Sequence, residues 1–155
     1  MASTPTFEYY NDAWAAKMIG RRSRRGIDAY LGVEVTEFGP GRLVAGFDVT
    51  EDLITMIGNM HGGCISALVD HCLGVVMYPV MPEGSWAATT EFKINLLAPV
   101  SKGRVEATAE ILSMTRRLAV VRIEVENALG PDSSQRRMVA LAQGTCTIVA
   151  PKGAA

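Results

Sequence analysis

The sequence is poor in the residue types that mark metal and redox sites. It has two histidines, and its three cysteines, Cys64, Cys72 and Cys146, show no Cys-x-x-Cys spacing. No metal site is therefore predicted. An odd cysteine count without a secretory signal is typical of a reducing compartment, so we expect a cytoplasmic protein. The thiols are interpreted as small buried hydrophobes.

Excess charge of one sign is also missing. The net charge is −1 over 155 residues, of which 20% are charged and 48% hydrophobic. Proteins that bind nucleic acids usually have a strongly basic surface, so no nucleic-acid partner is expected. No signal-like segment opens the chain, and no apolar run is expected to be long enough to cross a bilayer. The most apolar segment contains Asp70 and His71 and is interpreted as the core helix of a single domain.

Hydrophobic spacing divides the chain into an N-terminal helical segment, residues 1–30, and a domain, residues 31–150. Residues 6–30 are predicted to be helical because large apolar side chains recur at three- or four-residue spacing: Phe7, Tyr10, Trp14 and Met18. Four arginines lie between positions 21 and 25. They are either a solvated, mobile connection or a phosphate-contacting patch.

Alternation of apolar and polar residues predicts six strands. They cover residues 31–36, 42–49, 86–97, 105–111, 118–126 and 138–149. A helix from about Gly63 to Tyr78 separates the second strand from the third, and a loop is expected at 130–134. One helix followed by a four-stranded meander predicts an α+β fold in which a single antiparallel sheet curls around that helix.

The two faces of this helix differ in a way that predicts close packing on both sides. One face is apolar: Ile65, Leu68, Val69, Cys72 and Val76. The other face carries small residues and one acid: Gly63, Ser66, Ala67, Asp70 and Gly74. A solvent-facing surface would carry lysine and glutamate instead. We therefore expect a second element to pack close to the small-residue face.

The motif His61-Gly62-Gly63 begins the helix, and Asp70 follows nine residues after the histidine. The first amides of a helix have no internal partner, so they can hold an anion or a developing oxyanion. A lone carboxylate is costly to bury and often marks a functional site. Simpler interpretations are a tight loop-to-helix turn and a structurally bonded carboxylate.

The spacing of the two groups predicts an assembly. Eight residues of helical rise separate Gly62 from Asp70 by ~12 Å, so they cannot serve one site within one chain. A two-fold dimer with antiparallel helices would bring Asp70 of one subunit towards Gly62 of the other.

These residues resemble those of the hotdog-fold acyl-CoA thioesterases, in particular the branch that contains the phenylacetate-pathway thioesterases and acyl-CoA thioesterase 13. The resemblance covers residues 30–150. It rests on five features of the sequence: His61-Gly62-Gly63, Leu68, Asp70, Leu97-Ala98-Pro99-Val100 and Arg116-Arg117-Leu118-Ala119.

The resemblance implies roles for individual residues. Asp70 would activate water as a general base or attack the thioester directly. The backbone N–H of Gly62 would polarise the thioester carbonyl, with Gly63 beside it. His61 would orient the carbonyl or the departing sulfur, and Thr89 would position the water.

Arg116 and Arg117 match the positions that contact coenzyme A phosphates in this family, although the pair would equally suit an exposed hairpin turn. The sequence departs from the family at one place. Relatives often carry asparagine six residues before the histidine, where this chain has Thr55, while Asn59 lies two residues before it. Either Asn59 takes over through a reshaped loop, or the polar contact is weaker or made by Thr55.

The implied reaction is hydrolysis of an acyl-CoA to a carboxylic acid and coenzyme A. No metal or redox cofactor is implied, coenzyme A being part of the substrate. The implied assembly is a homodimer with two sites across the interface, and such dimers commonly pair into homotetramers. Two alternatives stay open: a hotdog dehydratase or hydratase acting on acyl thioesters, and a non-catalytic module that binds acyl thioesters.

Overall fold

The computed structural model describes residues 5–130 and 135–151, in which six antiparallel strands form one sheet around a central helix. The helices are α1 (Asp12–Met18), α2 (Gly26–Leu31) and α3 (Gly62–Val75). The strands are β1 (Glu34–Gly39), β2 (Arg42–Asp48), β3 (Trp86–Leu96), β4 (Arg104–Met114), β5 (Leu118–Leu129) and β6 (Gln135–Val149). This is the predicted α+β hotdog architecture. Of the loop predicted at 130–134, residues 131–134 lie outside the described residues.

The sheet is not the simple meander that was predicted. Its strand order is β1-β2-β4-β5-β6-β3, so β4 pairs with β2, and β3 lies at the far edge beside β6. The reason is that the loops on either side of α3, residues 49–61 and 76–85, carry the chain across the sheet before β3 begins. As a result, β3 has one bonded edge and one free edge.

The predicted apolar face of α3 is confirmed as the centre of the core. Its side chains are at most 4% exposed: Ile65, Leu68, Val69, Cys72 and Val76. They pack in one cluster with inward-facing side chains of the sheet, such as Leu43, Phe47, Ile123 and Cys146. Burial raises the pKa of the Cys72 and Cys146 thiols, which keeps them protonated. The sheet therefore fixes α3 by one face and leaves the small-residue face free.

One expectation about apolar runs is corrected. The segment Gly62–Val80, with 19 residues and a mean hydropathy of 1.5, is long and apolar enough by composition to cross a membrane. Half of that stretch is buried inside the protein, because its apolar side chains pack on the sheet. The core helix of a folded domain meets the same criterion.

The continuous N-terminal helix predicted for residues 6–30 is wrong in extent. Only α1 and α2 are helical there, and between them Ile19 and Arg22 form single bridges with Val35 and Glu34 at the start of β1. Trp14 stacks on Tyr78, with ring centroids 5.4 Å apart, and meets Phe38 edge-on at 5.8 Å. The apolar spacing in this segment therefore reflects packing of α1 against the domain.

Backbone geometry explains where the two short helices end. Gly20, just after α1, and Gly26, where α2 begins, adopt positive φ angles of 74° and 75°, which most other residues avoid, so no single helix runs through this stretch. Gly32 caps α2 at φ 71°, so Leu31 ends a helix rather than beginning the first strand. Arg22 then bonds Glu34 at 3.0 Å and holds the arginine segment along β1.

A substitution at Gly144 tests how tightly β3 is held against the sheet. A Cβ at Gly144 would lie 2.7 Å from the carbonyl oxygen of Glu91, which is backbone and cannot rotate away. We expect Gly144→Ala to lower the free energy of unfolding by ~1–3 kcal/mol, as for other overpacked sites. Urea titration measures this. Gly39→Ala is the control, since its Cβ would meet nothing within 4 Å; equal stability of the two variants would contradict the prediction.

Candidate active site

An open groove of about 950 Å³ runs between the small-residue face of α3 and the edge strand β3. Asp70 and Thr89 both line it, so the structure brings these two predicted residues together. The remaining walls come from α3 and from the first half of β3, including Ser66, Ala67, Gly74, Trp86 and Phe92. The element expected beside the small-residue face is thus β3, which covers only part of that face. The rest of the face borders the open groove.

Asp70 is exposed in the single chain, which corrects the expectation of a buried carboxylate. The physical reason is that it projects from the face of α3 that the sheet does not cover. Its carboxylate influences the neighbouring Cys146 thiol, whose pKa is raised chiefly by burial, lowered by a hydrogen bond with Thr89, and raised further by Asp70. The acid and the hydroxyl therefore share one corner of the groove, and the buried Cys146 thiol lies in the core behind them.

The first amides of α3 are not equivalent. The Gly63 N–H donates to Nδ1 of His61 at 2.9 Å, and the Cys64 N–H donates to the His61 carbonyl at 3.0 Å. Within the described residues, the Gly62 N–H has no acceptor. His61 thus caps the helix and leaves a single amide free for a ligand. Because Nδ1 accepts a hydrogen bond, the neutral ring carries its proton on Nε2, which is free to donate.

Gly62 lies at the opposite end of β3 from the acid. A Cβ at Gly62 would stand 2.5 Å from Cδ1 of Leu96, the last residue of β3. Thr89, beside Asp70, lies seven residues earlier in the same strand, which is ~23 Å at the usual rise. The chain therefore carries two separate half-sites: an amide half-site (His61 and Gly62) and an acid half-site (Asp70 and Thr89).

The loop before the amide half-site contains the departure noted in the sequence. The Thr55 hydroxyl donates to the Asn59 carbonyl at 2.8 Å, and the Thr55 N–H donates to the same oxygen at 2.9 Å. Thr55 is thus engaged in closing the loop. In the described part of the chain, the side-chain amide of Asn59 makes no hydrogen bond, which favours Asn59 as the residue that contacts a ligand. Met56 and Ile57 stand exposed at the tip.

Arg116 and Arg117 are not brought into the groove. They form the exposed β4–β5 turn, which is closed by a hydrogen bond from the Thr115 N–H to the Leu118 carbonyl at 2.8 Å. The Arg117 carbonyl accepts from Ile148, and Ile148 pairs with Ala87 of β3. The turn therefore lies at the end of the sheet where the groove begins. Neither guanidinium is within 4 Å of a carboxylate of the described residues.

One residue of the groove, His71, was not predicted as a site residue from the sequence; it lines the groove beside Asp70. Its Nδ1 lies 3.0 Å from Oδ2 of Asp28 on α2, and its Nε2 is buried without a partner among residues 5–130 and 135–151. Its position next to Asp70 in the sequence is the only feature that could have indicated a role. Its contact with Asp28 joins residues 43 positions apart and follows from no local sequence pattern. The described residues contain no group of three or more histidine, cysteine, aspartate or glutamate side chains placed to hold a metal ion.

The fold and the two half-sites define a hotdog domain with a helix-end amide at the start of α3 and a carboxylate two turns along the same helix. A sequence model of the thioesterase superfamily matches residues 57–132, which include both half-sites. A protein of Saccharolobus solfataricus that carries the name of an esterase is 31% identical over 65% of this chain and 71% of its own length. The chain belongs to the thioesterase superfamily, and it is an enzyme of the thioester hydrolase class.

Two further comparisons agree with this assignment. The 1,4-dihydroxy-2-naphthoyl-CoA hydrolase of Listeria monocytogenes is 26% identical over 64% of this chain and 81% of its own length. A crystal structure of a thioesterase from Haemophilus influenzae superimposes with a TM-score of 0.76 over 99% of both chains, at 19% identity. At this identity the last comparison shows the likeness of the fold alone.

Proposed function

We propose that the protein is an acyl-CoA thioesterase that releases a carboxylic acid and coenzyme A. The observation that carries the proposal is the pair of groups on α3: among residues 5–130 and 135–151, the backbone N–H at the start of the helix has no acceptor and the Asp70 carboxylate, two turns later, has no ion-pair partner. A thioester hydrolase needs a donor for the carbonyl oxygen and a base or nucleophile for the carbonyl carbon. The acyl-CoA substrate named for the Listeria relative supports coenzyme A as the thiol.

The chemistry follows from the groups available. The Gly62 N–H would hold the carbonyl oxygen as it gains negative charge, and the positive end of α3 would add to this effect. Asp70 would take a proton from water held by Thr89, and the water oxygen would attack the carbonyl carbon. The carbon–sulfur bond then breaks, and Nε2 of His61 stands ready to donate to the departing sulfur. In the alternative mechanism, the Asp70 carboxylate attacks the carbonyl carbon directly.

Two subunits would complete each site. β3 is eleven residues long, and on the edge away from β6 its outward backbone groups have no strand partner among the described residues; a long open edge is a template for pairing with a second chain. A two-fold axis at Phe92 would set Glu91 against the partner's Lys93, which is charge-complementary. The same register would bring the Leu96 end of one strand, and with it Gly62, next to the partner's acid half-site. The arginine turn at 116–117 would then serve the coenzyme A phosphates, and pairs of dimers would form the homotetramer.

Removal of the free amide tests the role of Gly62. Gly62→Pro deletes the N–H at the first helical position, where proline is well tolerated, and His61 already has the extended backbone that precedes proline (φ −63°, ψ 132°). We expect kcat to fall by about 10²-fold, the usual loss for one oxyanion donor. Gly62→Ala is the control, because it displaces the Leu96 side chain equally but keeps the N–H. If both variants lose the same activity, the amide is not the donor.

A thiol-release assay over a panel of acyl-CoAs, with aliphatic and aromatic acyl groups, tests the function itself. Release of free coenzyme A from at least one member is the expected result. Enoyl- and 3-hydroxyacyl-CoAs belong in the panel, with the double bond followed by absorbance. Hydration or dehydration without thiol release would identify a hydratase or dehydratase instead. Tight binding without any turnover would identify a thioester-binding module.

A further inference from the structure

A second cavity, of about 470 Å³, lies beneath the Arg21–Arg25 segment where this segment pairs with β1. Its inner surface is apolar, formed by Met18 and by Val33 and Val35, each of which is 2% exposed. Its outer rim is the arginine segment, whose side chains are exposed. The cavity has the size of a small-molecule site, with an apolar interior and a cationic entrance.

The charge at this entrance is largely uncompensated. Arg22 is paired with Glu34 at 3.0 Å, but Arg21, Arg24 and Arg25 have no carboxylate within 4 Å among the described residues. These three guanidiniums give the cavity entrance a local positive charge, although the net charge of the chain is −1. The bridge from Arg22 to Glu34 anchors the backbone of this segment on β1, which reduces the cost of ordering the segment around a ligand.

His71 connects the cavity with the candidate active site. Its side chain lines both the cavity and the groove, and it follows Asp70 directly in α3. Its Nδ1 is bonded to Asp28, while its Nε2 is buried with no hydrogen-bond partner in the described parts of the chain. A buried polar atom without a partner is costly, and a ligand that reaches it relieves that cost.

We propose that this cavity receives an anionic group at the far end of the acyl chain, so that the preferred substrates are thioesters of dicarboxylic acids. The inference rests on the proposed function, because it places the scissile carbonyl at Asp70, next to the wall formed by His71. Methylene groups suit the apolar interior, and a terminal carboxylate suits the guanidinium rim. A coenzyme A phosphate shares the negative charge but has no need of an apolar interior.

Binding to the Asp70→Asn protein tests this without relying on turnover. Glutaryl-CoA and pentanoyl-CoA have acyl chains of equal length and differ in the terminal carboxylate. By titration calorimetry, we expect glutaryl-CoA to bind about 10-fold more tightly, as for hydrogen bonds to a charged group. Adding R24Q and R25Q should abolish this preference. Adding R42Q and R122Q instead, which removes two arginines paired on the sheet surface, should preserve it.

Three results would overturn the proposal. One is equal affinity for the two thioesters. Another is a preference for glutaryl-CoA that survives R24Q and R25Q. The third is a loss of affinity for both thioesters alike in that variant, which would assign these arginines to the coenzyme A phosphates. Failure of this proposal is distinguishable from failure of the proposed function, since thiol release is measured separately on the wild-type protein.

Discussion

Asp70→Asn is expected to reduce the rate of thiol release from acyl-CoA by about 10³-fold, within the range that general acid–base groups contribute. Asparagine keeps the size of the side chain but can neither take a proton from water nor attack the carbonyl carbon. The fold should be unaffected, because the Asp70 side chain is exposed in the chain and projects from the face of α3 that the sheet does not cover. The measurement is kcat from free thiol against time, with the thermal midpoint recorded alongside.

The matched control is Asp52→Asn, which removes an exposed carboxylate in the short turn before α3 and lies outside the groove. It should keep wild-type kcat. A wild-type rate in Asp70→Asn would contradict the assignment of Asp70 as the general base or nucleophile. A comparable loss in both variants would point to a general effect of charge rather than to a reacting group.

The strand and helix positions that follow from period-two and helical patterns could be predicted from the sequence. The apolar side of α3 is such a case, because Leu68 and Cys72 recur with the helical period and nothing competes for them. Residues 6–30 show why the same reasoning fails elsewhere. Apolar spacing there matched a helix, but glycines with positive φ and bridges between residues 19–22 and β1 divided the segment. Long-range pairing overrode a local pattern.

The site was predictable in its parts but not in its arrangement. His61, Gly62 and Asp70 follow from the motif and its spacing, whereas the free state of one amide depends on how the His61 ring turns back onto Gly63. The position of β3 at the far edge of the sheet is a topological fact, and it decides that Thr89 faces Asp70. The contact between His71 and Asp28 depends on the packing of α2 on α3, which no sequence period records.

The half-sites lead to the second large effect, which is recovery of activity on mixing two inactive proteins. Asp70→Asn retains the amide half-site, and Gly62→Pro retains the acid half-site. Unfolding and refolding the two together in equal amounts gives a mixed dimer with one complete site and one doubly altered site. Random pairing makes half of the dimers mixed, so we expect about a quarter of the wild-type rate, some 250-fold above Asp70→Asn alone.

The mixing experiment separates the two possible locations of the site. If each site formed within one chain, no combination of these variants would contain both groups, and the mixture would show only the average of two low rates. The double variant Asp70→Asn/Gly62→Pro mixed with wild type is the control. Its mixed dimers would carry no complete site, so refolding the two together should lower the rate from about half to about a quarter of the wild-type rate, whereas sites within one chain would leave it at about half. A gain in the first mixture together with this loss in the second requires that the carboxylate and the amide reach the thioester from different subunits. The ~12 Å of helical rise between them has the same consequence.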